Sequence, residues 1–499
     1  MKFSGIKTAS NRRPRVERVW NGRKANAFIT ATALMAILNG CMQVGPDYTR
    51  MEPELPPQWR TEMAGGLSAS ATRPATLAGW WTTLNDPALN ALMAEAVSGS
   101  LDIRVALARI REARALRGIS RADLFPTLDA SASAIKSRSS QNSGAGRESE
   151  LYSAGFDAGW ELDVFGGLRR SVEAAQADLE AVHEELHAAM VSLMAEVALN
   201  YVELRTFQSR LAVTEANIKT QQETHDLNRS LYQAGMTNEL VVQQSLRILE
   251  SSRSQIPTLE SGVSAAKNRL AVLLGKQPGE LHGQLDGHRP LPVLPGILSV
   301  GIPAETMRQR PDIRKAERNL AAQTARIGVA TADLYPRFRL MGSFGLESLN
   351  GEDFLQWDSH TWSLGPGVSW KIFNGGAVRQ HIELWTARQE QALIQYQETV
   401  LLALEEVETA LTAYAKEQAR RDAVSKAAVA GQRAVMLAKE QYRAGLVDFN
   451  SVLDAERSLL ILEDELAQSN GVVISNMVRL YKALGGGWTN HPAEMEGNG

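Results

Sequence analysis

Two long stretches of the chain place apolar residues at intervals of three and four. Val172, Ala175, Leu179, Val182, Leu186, Met190, Leu193, Val197, Tyr201 and Leu204 form one seam; Leu393, Tyr396, Val400, Leu404, Val407, Leu411 and Tyr414 form the other. The spacing averages about 3.5, between a straight helix and a heptad coil, and predicts two long helices that pack along one stripe. No proline falls between Gly167 and Gly235. As one helix that run would extend about 100 Å, at about 1.5 Å per residue. Gly235 and Gly445 then mark tight turns into returning helices.

A second period appears just before each long helix. Tyr152, Ala154, Phe156, Ala158, Trp160, Leu162 and Val164 alternate with Ser153, Asp157, Glu161 and Asp163. A period of two predicts a strand with one apolar face. Strands are expected at 127–137 and 151–165, across the Gly/Ser-rich loop 138–150, and again at 338–346 and 361–373, across the loop 347–360. They match the roughly 9–11 residues of a bilayer-crossing β-strand. Gly166-Gly167 and Gly375-Gly376 suit the corner from strand to helix.

The two halves are one unit written twice. Asp123-Leu124-Phe125-Pro126 returns as Asp333-Leu334-Tyr335-Pro336, Trp160 as Trp370, Tyr232 and Gly235 as Tyr442 and Gly445, and Leu274-Gly275 as Leu484-Gly485, all 210 positions apart. Constant register implies a duplicated architecture. The expected divisions are a signal segment at 1–40, an extended Pro-rich arm at 41–76, a first repeat at 77–275 that opens with short helices over 77–121, a Pro-rich linker at 276–310, a second repeat at 311–487 and a tail at 488–499.

Composition adds a compartment. The 499 residues are helix-rich in character, with 6% aromatic and 22% charged residues. The formal charge of −3 conceals a basic start: residues 1–40 carry eight Lys/Arg against Glu17, leaving −10 for the rest. An acidic body makes nucleic acid an unsuitable partner. The basic start precedes an apolar run, Ala25 to Leu38, that is shorter than the roughly 20 residues of a membrane helix and reads as an export signal. Cys41, the single cysteine, follows Leu38-Asn39-Gly40. That box is similar to a lipoprotein cleavage site despite the unusual Asn39, and makes Cys41 the expected lipid anchor; an ordinary cleaved signal is the alternative. Met42 favours the outer membrane over inner-membrane retention.

Four strands cannot close a barrel, and open sheet edges in lipid leave backbone groups without partners at a cost of several kcal/mol each. Known single-chain bacterial barrels begin at about eight strands. The chain must therefore share its barrel with further copies, in a head-to-tail ring.

At this point the sequence resembles the TolC-like outer-membrane factor family, in its lipoprotein branch (OprM/NodT type) that serves RND efflux pumps. The resemblance rests on Cys41 followed by Val44-Gly45-Pro46-Asp47-Tyr48, on Trp80-Trp81 with Asp86-Pro87-Ala88-Leu89, on Arg310-Pro311-Asp312-Ile313-Arg314 with Ala316-Glu317, and on the Gly-Gly corners and Ala-Gly tips. It implies a mainly α protein with a β-barrel part: a homotrimer with a shared twelve-stranded barrel and a twelve-helix periplasmic tunnel. That channel would conduct small molecules from an inner-membrane RND pump, through a periplasmic adaptor, across the outer membrane to the exterior, with no cofactor.

The resemblance also assigns residues. Gly235, Gly445, Tyr232 and Arg443 fall at the adaptor-facing hairpin tips. Asp454 matches an aperture aspartate, where carboxylates from three copies would ring the axis; the plainer alternative is a solvated Asp beside Arg457. Tyr442 matches a tip tyrosine that holds the closed state. The family often has Asp six positions after the tip glycine, where this chain has Val241 and Ser451, so a Tyr–Asp latch is not expected.

His183-Glu184-Glu185-Leu186-His187 satisfies the zincin pattern, with Glu184 as the base of a metalloprotease. Val182 and Leu186 belong to the packing seam, however, so both histidines are expected to flank it on a solvated face. Neither metal nor catalytic chemistry is expected there. Trp80, Trp81, Trp160, Trp362 and Trp370 offer substrate contacts, but the strand tryptophans suit a membrane interface better. A type I secretion outlet, or a coiled-coil scaffold without a pore, are the competing functions; lipid-length strands disfavour the scaffold.

Overall fold

The computed structural model describes residues 43–71 and 73–488; Cys41 and the signal segment lie outside them. The principal elements are helices α1 (Pro87–Gly99) and α2 (Leu101–Ala122), strands β1 (Thr127–Arg138) and β2 (Glu148–Leu162), and helices α3 (Gly167–Gln233), α4 (Glu239–Arg253) and α5 (Ile256–Leu273). Then follow α6 (Pro311–Ala332), β3 (Arg337–Ser348), β4 (His360–Ser369), α7 (Ala377–Arg443) and α8 (Phe449–Ala483). The 210-residue register holds almost element by element. The first and last residues of α2 and α6, of β1 and β3, and of α3 and α7 all correspond. Both long helices have 67 residues.

β4 is shorter than β2, but the largest exception is the returning helix. Over 449–483 it is continuous as α8, whereas its counterpart is broken at Ser254-Gln255 into α4 and α5. Pro257 explains the break: it has no N–H to give to the carbonyl four residues back. Its counterpart, Ala467, lies inside α8. A second correction concerns 77–121, where short helices are expected. In fact α2 alone runs 22 residues.

Two compact units emerge, and they cut across the repeats. Among the described residues one comprises 43–45, 124–169 and 331–373; the other comprises 46–123, 170–330 and 374–488. The first unit is an antiparallel sheet in the order β1-β2-β3-β4, so β1 and β4 are its edges. Alternation places Leu128, Phe156, Leu340, Phe344, Trp362 and Leu364 on one face, with Ser133, Ser153, Glu161, Arg339, Ser343 and Ser363 on the other. The apolar face is open: Leu128 is 69% exposed and Trp362 71%. The polar face is tied by cross-strand pairs such as Ser133–Ser153 at 2.9 Å, Ser343–Ser363 at 2.8 Å and Arg339–Glu161 at 3.2 Å. A water-soluble sheet would bury its apolar face; this one does the reverse.

Two strands end earlier than the alternation predicts. β2 stops at Leu162 because Asp163 turns to accept the N–H groups of Leu168 (3.1 Å) and Arg169 (2.9 Å) at the start of α3. β4 stops at Ser369, which pairs with Arg337, the first residue of β3. Residues 370–373 have no strand opposite them in one chain.

The second unit is helical. Leu186, Val197, Tyr201 and Leu204 of the α3 seam are fully buried, as are Val407 and Leu411 of α7 and Val473 and Met477 of α8. Asp86 caps α1 through the N–H groups of Ala88 (2.9 Å) and Leu89 (3.2 Å), and its other oxygen accepts from Tyr201 at 2.6 Å. Burial first, then that contact, pushes the Tyr201 phenol up to about 12. Trp80 stacks on Tyr481 with centroids 5.4 Å apart. The Pro-rich arm is pinned by Asp47 to Arg170 (2.6 Å), by the Trp59 indole donating to Gly301 (3.0 Å) and by Thr61 donating to Glu408 (2.5 Å). Arg310 is a buried hub: it donates to Asp312 (2.7 Å), to Glu406 (2.8 Å) and to the Ala483 carbonyl that ends α8.

Candidate functional site

The hairpin tips are built alike. Gly235 (φ +74°) and Gly445 (φ +70°) take the left-handed turn that glycine tolerates. Around them Met236 N–H reaches back to the Leu231 carbonyl, and Leu446 N–H to Gln441, each at 2.9 Å. The next helices are capped by side chains the sequence reading did not single out: Asn238 accepts from Val241 N–H and Asp448 from Ser451 N–H, both at 3.2 Å. The signal was present, since Asn and Asp are preferred caps.

An apolar cluster joins the two tips. Phe449, Val452 and Leu453 are buried, with Val241, Ile248, Ala438 and Tyr442 packed against them. This gives a physical reason for Val241: a carboxylate there would enter an apolar contact. The Tyr442 ring lies 5.4 Å from that of Phe449, and its hydroxyl donates to Asn228 Oδ1 at 3.2 Å. Asn228 is fully buried, and partial burial raises the Tyr442 pKa.

Farther from the tips, polar rungs connect α3 with the second hairpin. Glu456 accepts from Thr224 (3.2 Å) and pairs with Lys439 (2.8 Å); Glu463 accepts from Asn217 (2.9 Å) and Gln432 (3.1 Å). Corresponding members are one heptad apart on each helix. Of these only Glu456 is buried; a buried polar group between helices favours one register at a cost in stability.

Asp454 is exposed beside buried Leu453, and among the described residues it makes no ion pair; Arg457 is not its partner. The fold thus turns Tyr442 into the tip cluster and leaves Asp454 free on its helix. Tyr232 and Arg443 are exposed. The residues following the tip glycines, Met236 and Leu446, are each 75% exposed and were not anticipated.

The His-Glu pattern is taken up by packing. Glu184 pairs with Arg314 at 2.5 Å and with His187 Nδ1 at 3.2 Å; the His187 ring stacks on Trp488 at 4.1 Å, under the Arg314 guanidinium. His187 is 5% exposed, so the solvated face expected for it is corrected: a ring wedged between Glu184 and Trp488 is core. Among the described residues no group of three or more His, Cys, Asp or Glu is placed to hold a metal.

Comparison with known proteins fits this geometry. Residues 92–276 and 302–486 each match the family described as outer membrane efflux protein, and the two matches are themselves 210 residues apart. The chain is 31% identical over 449 residues to Nodulation protein T of Rhizobium leguminosarum bv. trifolii, covering 90% of this chain and 94% of that protein. It is 31% identical over 460 residues to the solvent efflux pump outer membrane protein SrpC of Pseudomonas putida, covering 91% and 97%. A solved structure of the outer-membrane channel OprN superposes with a TM-score of 0.83 at 38% identity, over 89% of this chain and 99% of that one. SrpC is named as an efflux pump component and OprN as a channel; neither is named as an enzyme. The chain belongs to the outer membrane efflux protein family.

Proposed function

We propose that this protein is the outer-membrane channel of a tripartite RND-type efflux system. Three copies complete one barrel and one periplasmic tunnel, which passively conducts small molecules delivered by an inner-membrane pump and its adaptor. One observation carries the reading: a four-stranded sheet with an exposed apolar face, a hydrogen-bonded polar face and two open edges. Such a sheet is stable in lipid only when further strands close it. Cys41 is the lipid anchor. The tips at Gly235 and Gly445, with Tyr232 and Arg443, face the adaptor, and Asp454 with Tyr442 lines the aperture. SrpC is named for solvent efflux, which supports small apolar cargo. No enzymatic role is assigned, since Glu184 and His187 are engaged in packing.

The test is reconstitution. Purified protein in planar bilayers should form ion-conducting pores, and expression with its pump and adaptor should lower dye accumulation in a strain lacking an outer-membrane factor. Absence of pores from a folded oligomer would refute the channel. Labelled fatty acid should enter the wild type and not Cys41→Ser.

A further inference from the structure

The 210-residue correspondence is broken at an ion pair, and a groove opens there. In the first repeat Glu196 of α3 pairs with Arg269 of α5 at 2.6 Å. The corresponding residues are Glu406 of α7 and Arg479 of α8, but Glu406 pairs with Arg310 instead, at 2.8 Å. The position matching Arg310 is Ser100, which has no charge to compete for Glu196. Arg479 is left with a bond to Asn476 on its own helix, at 2.9 Å. Lys482, one turn on, stands where the first repeat has Val272. Among the described residues neither Arg479 nor Lys482 makes an ion pair. We propose that these two cations and the apolar floor beside them form a binding station on the inner wall of the tunnel for an amphipathic anion, a compound with an apolar body and one carboxylate, sulfonate or phosphate. This rests on the oligomeric channel proposed above and adds a charge preference for its cargo.

Arg479 and Lys482 edge a groove of about 680 Å³ between α3, α7 and α8. That size is ordinary for a small-molecule site. Its apolar lining comes from Leu199, Leu402, Ala410 and Ala413. Of its two carboxylates, Glu406 is neutralised by Arg310, and Glu405 alone is uncommitted. The free charge is therefore two cations against one anion, which favours an anionic head group. Arg479 presents a fork matched to a planar oxyanion, and Lys482 a point charge beside it.

The helices that line the groove turn it toward the bore. Tyr201 on α3 donates to Asp86 at 2.6 Å, and Tyr481 on α8 stacks on Trp80, so those two faces carry α1 and the segment before it. Leu199 and Arg479 each lie two residues earlier, about 200° around the helix, and point the other way. A layer of short helices inside a conduit would plug it. That layer therefore sits on the outside, and Leu199 and Arg479 point inward. Cargo moving along the tunnel passes the groove, and conduction requires such a site to bind well enough to admit and weakly enough to release.

Current blockade tests the station. Octanesulfonate added to pores in planar bilayers should interrupt the current for a resolvable time, and octyltrimethylammonium, with the same tail, should give shorter interruptions. Arg479→Gln with Lys482→Gln should shorten the octanesulfonate interruptions about tenfold, the equivalent of one hydrogen bond to a charged group. Glu405→Gln should lengthen them. As a second readout, Thr409→Cys puts a thiol in the groove. It should react with the anionic reagent sulfonatoethyl methanethiosulfonate and step the current down. Neutralising Arg479 and Lys482 should slow that reaction without slowing the one with the cationic trimethylammonium reagent. Interruptions unchanged in the double variant, or equally long with the cationic compound, overturn the station and leave the channel standing. So does a Thr409→Cys pore whose current the anionic reagent leaves untouched. Wild-type protein that forms no pores overturns the channel reading itself.

Discussion

The indole of Trp160 donates to the carbonyl of Leu124 at 2.9 Å, and 210 residues later Trp370 donates to Leu334 at 3.0 Å. Trp160 lies in β2 and Trp370 directly follows β4, and each bond ties the chain there to the Asp-Leu-aromatic-Pro corner that precedes the hairpin. Both bonds are exposed, so removing the donor costs about the net value of a hydrogen bond, about 0.5–1.5 kcal/mol. Trp160→Phe and Trp370→Phe should each lower the temperature at which the oligomer dissociates in detergent, with roughly additive effects. Unchanged dissociation in the double variant would show the bonds to be incidental.

The aperture assignment predicts a change in permeation. If Asp454 from several copies narrows the axis, Asp454→Ala should raise single-channel conductance in planar bilayers and weaken cation preference. Tyr442→Phe, which loses the bond to Asn228, should increase the fraction of time spent open while leaving selectivity alone. Wild-type values for both variants would remove the assignment.

The exposed tips make a separate prediction. Leu446→Asp and Met236→Asp should weaken adaptor capture on co-purification without changing channel conductance, because both side chains point away from the packed cluster. Retained capture would place the adaptor contact elsewhere.

Zinc analysis distinguishes packing from chemistry at the His-Glu pattern. Purified protein should hold no stoichiometric zinc. Glu184→Ala should destabilise the fold by about 1–3 kcal/mol, since it leaves the buried His187 ring without the carboxylate it contacts, while the more exposed Arg314 is re-solvated. A zinc-loaded wild type with a stable Glu184 variant would reverse this reading.

Acid sensitivity follows from two carboxylates. The Lys315 contact, against burial and with help from Arg109, holds Glu185 below its ordinary pKa. Glu408 is also lowered: burial opposes, but the Thr61 hydroxyl and the Arg60 and Thr61 N–H groups outweigh it. A lowered folded-state pKa means the unfolded chain binds protons first, so the stabilisation is complete above the ordinary value, about 4.3, and is lost as pH falls through the folded one. Melting temperature should be flat above about pH 5.5 and decline below about pH 4.5. Glu185→Gln should melt lower at neutral pH and show a shallower acid limb.

The sequence by itself determined the duplication, the long helices and the presence of four strands, because each is written in local periodicity: threes and fours for α3 and α7, twos for β2. The tip glycines were legible for the same reason, since a left-handed turn is a property of one residue. Pro257 is equally local, since its missing N–H breaks the returning helix whatever the rest of the chain does. What only the tertiary structure decided depends on partners distant in the chain. β4 ends at Ser369 because β3 begins at Arg337; His187 is core because Trp488 covers it; Val241 is packed because the Phe449–Val452–Leu453 cluster lies against it. The rungs from Glu456 and Glu463 join segments more than 200 residues apart, and periodicity records which face of an element is turned inward but never which element it meets.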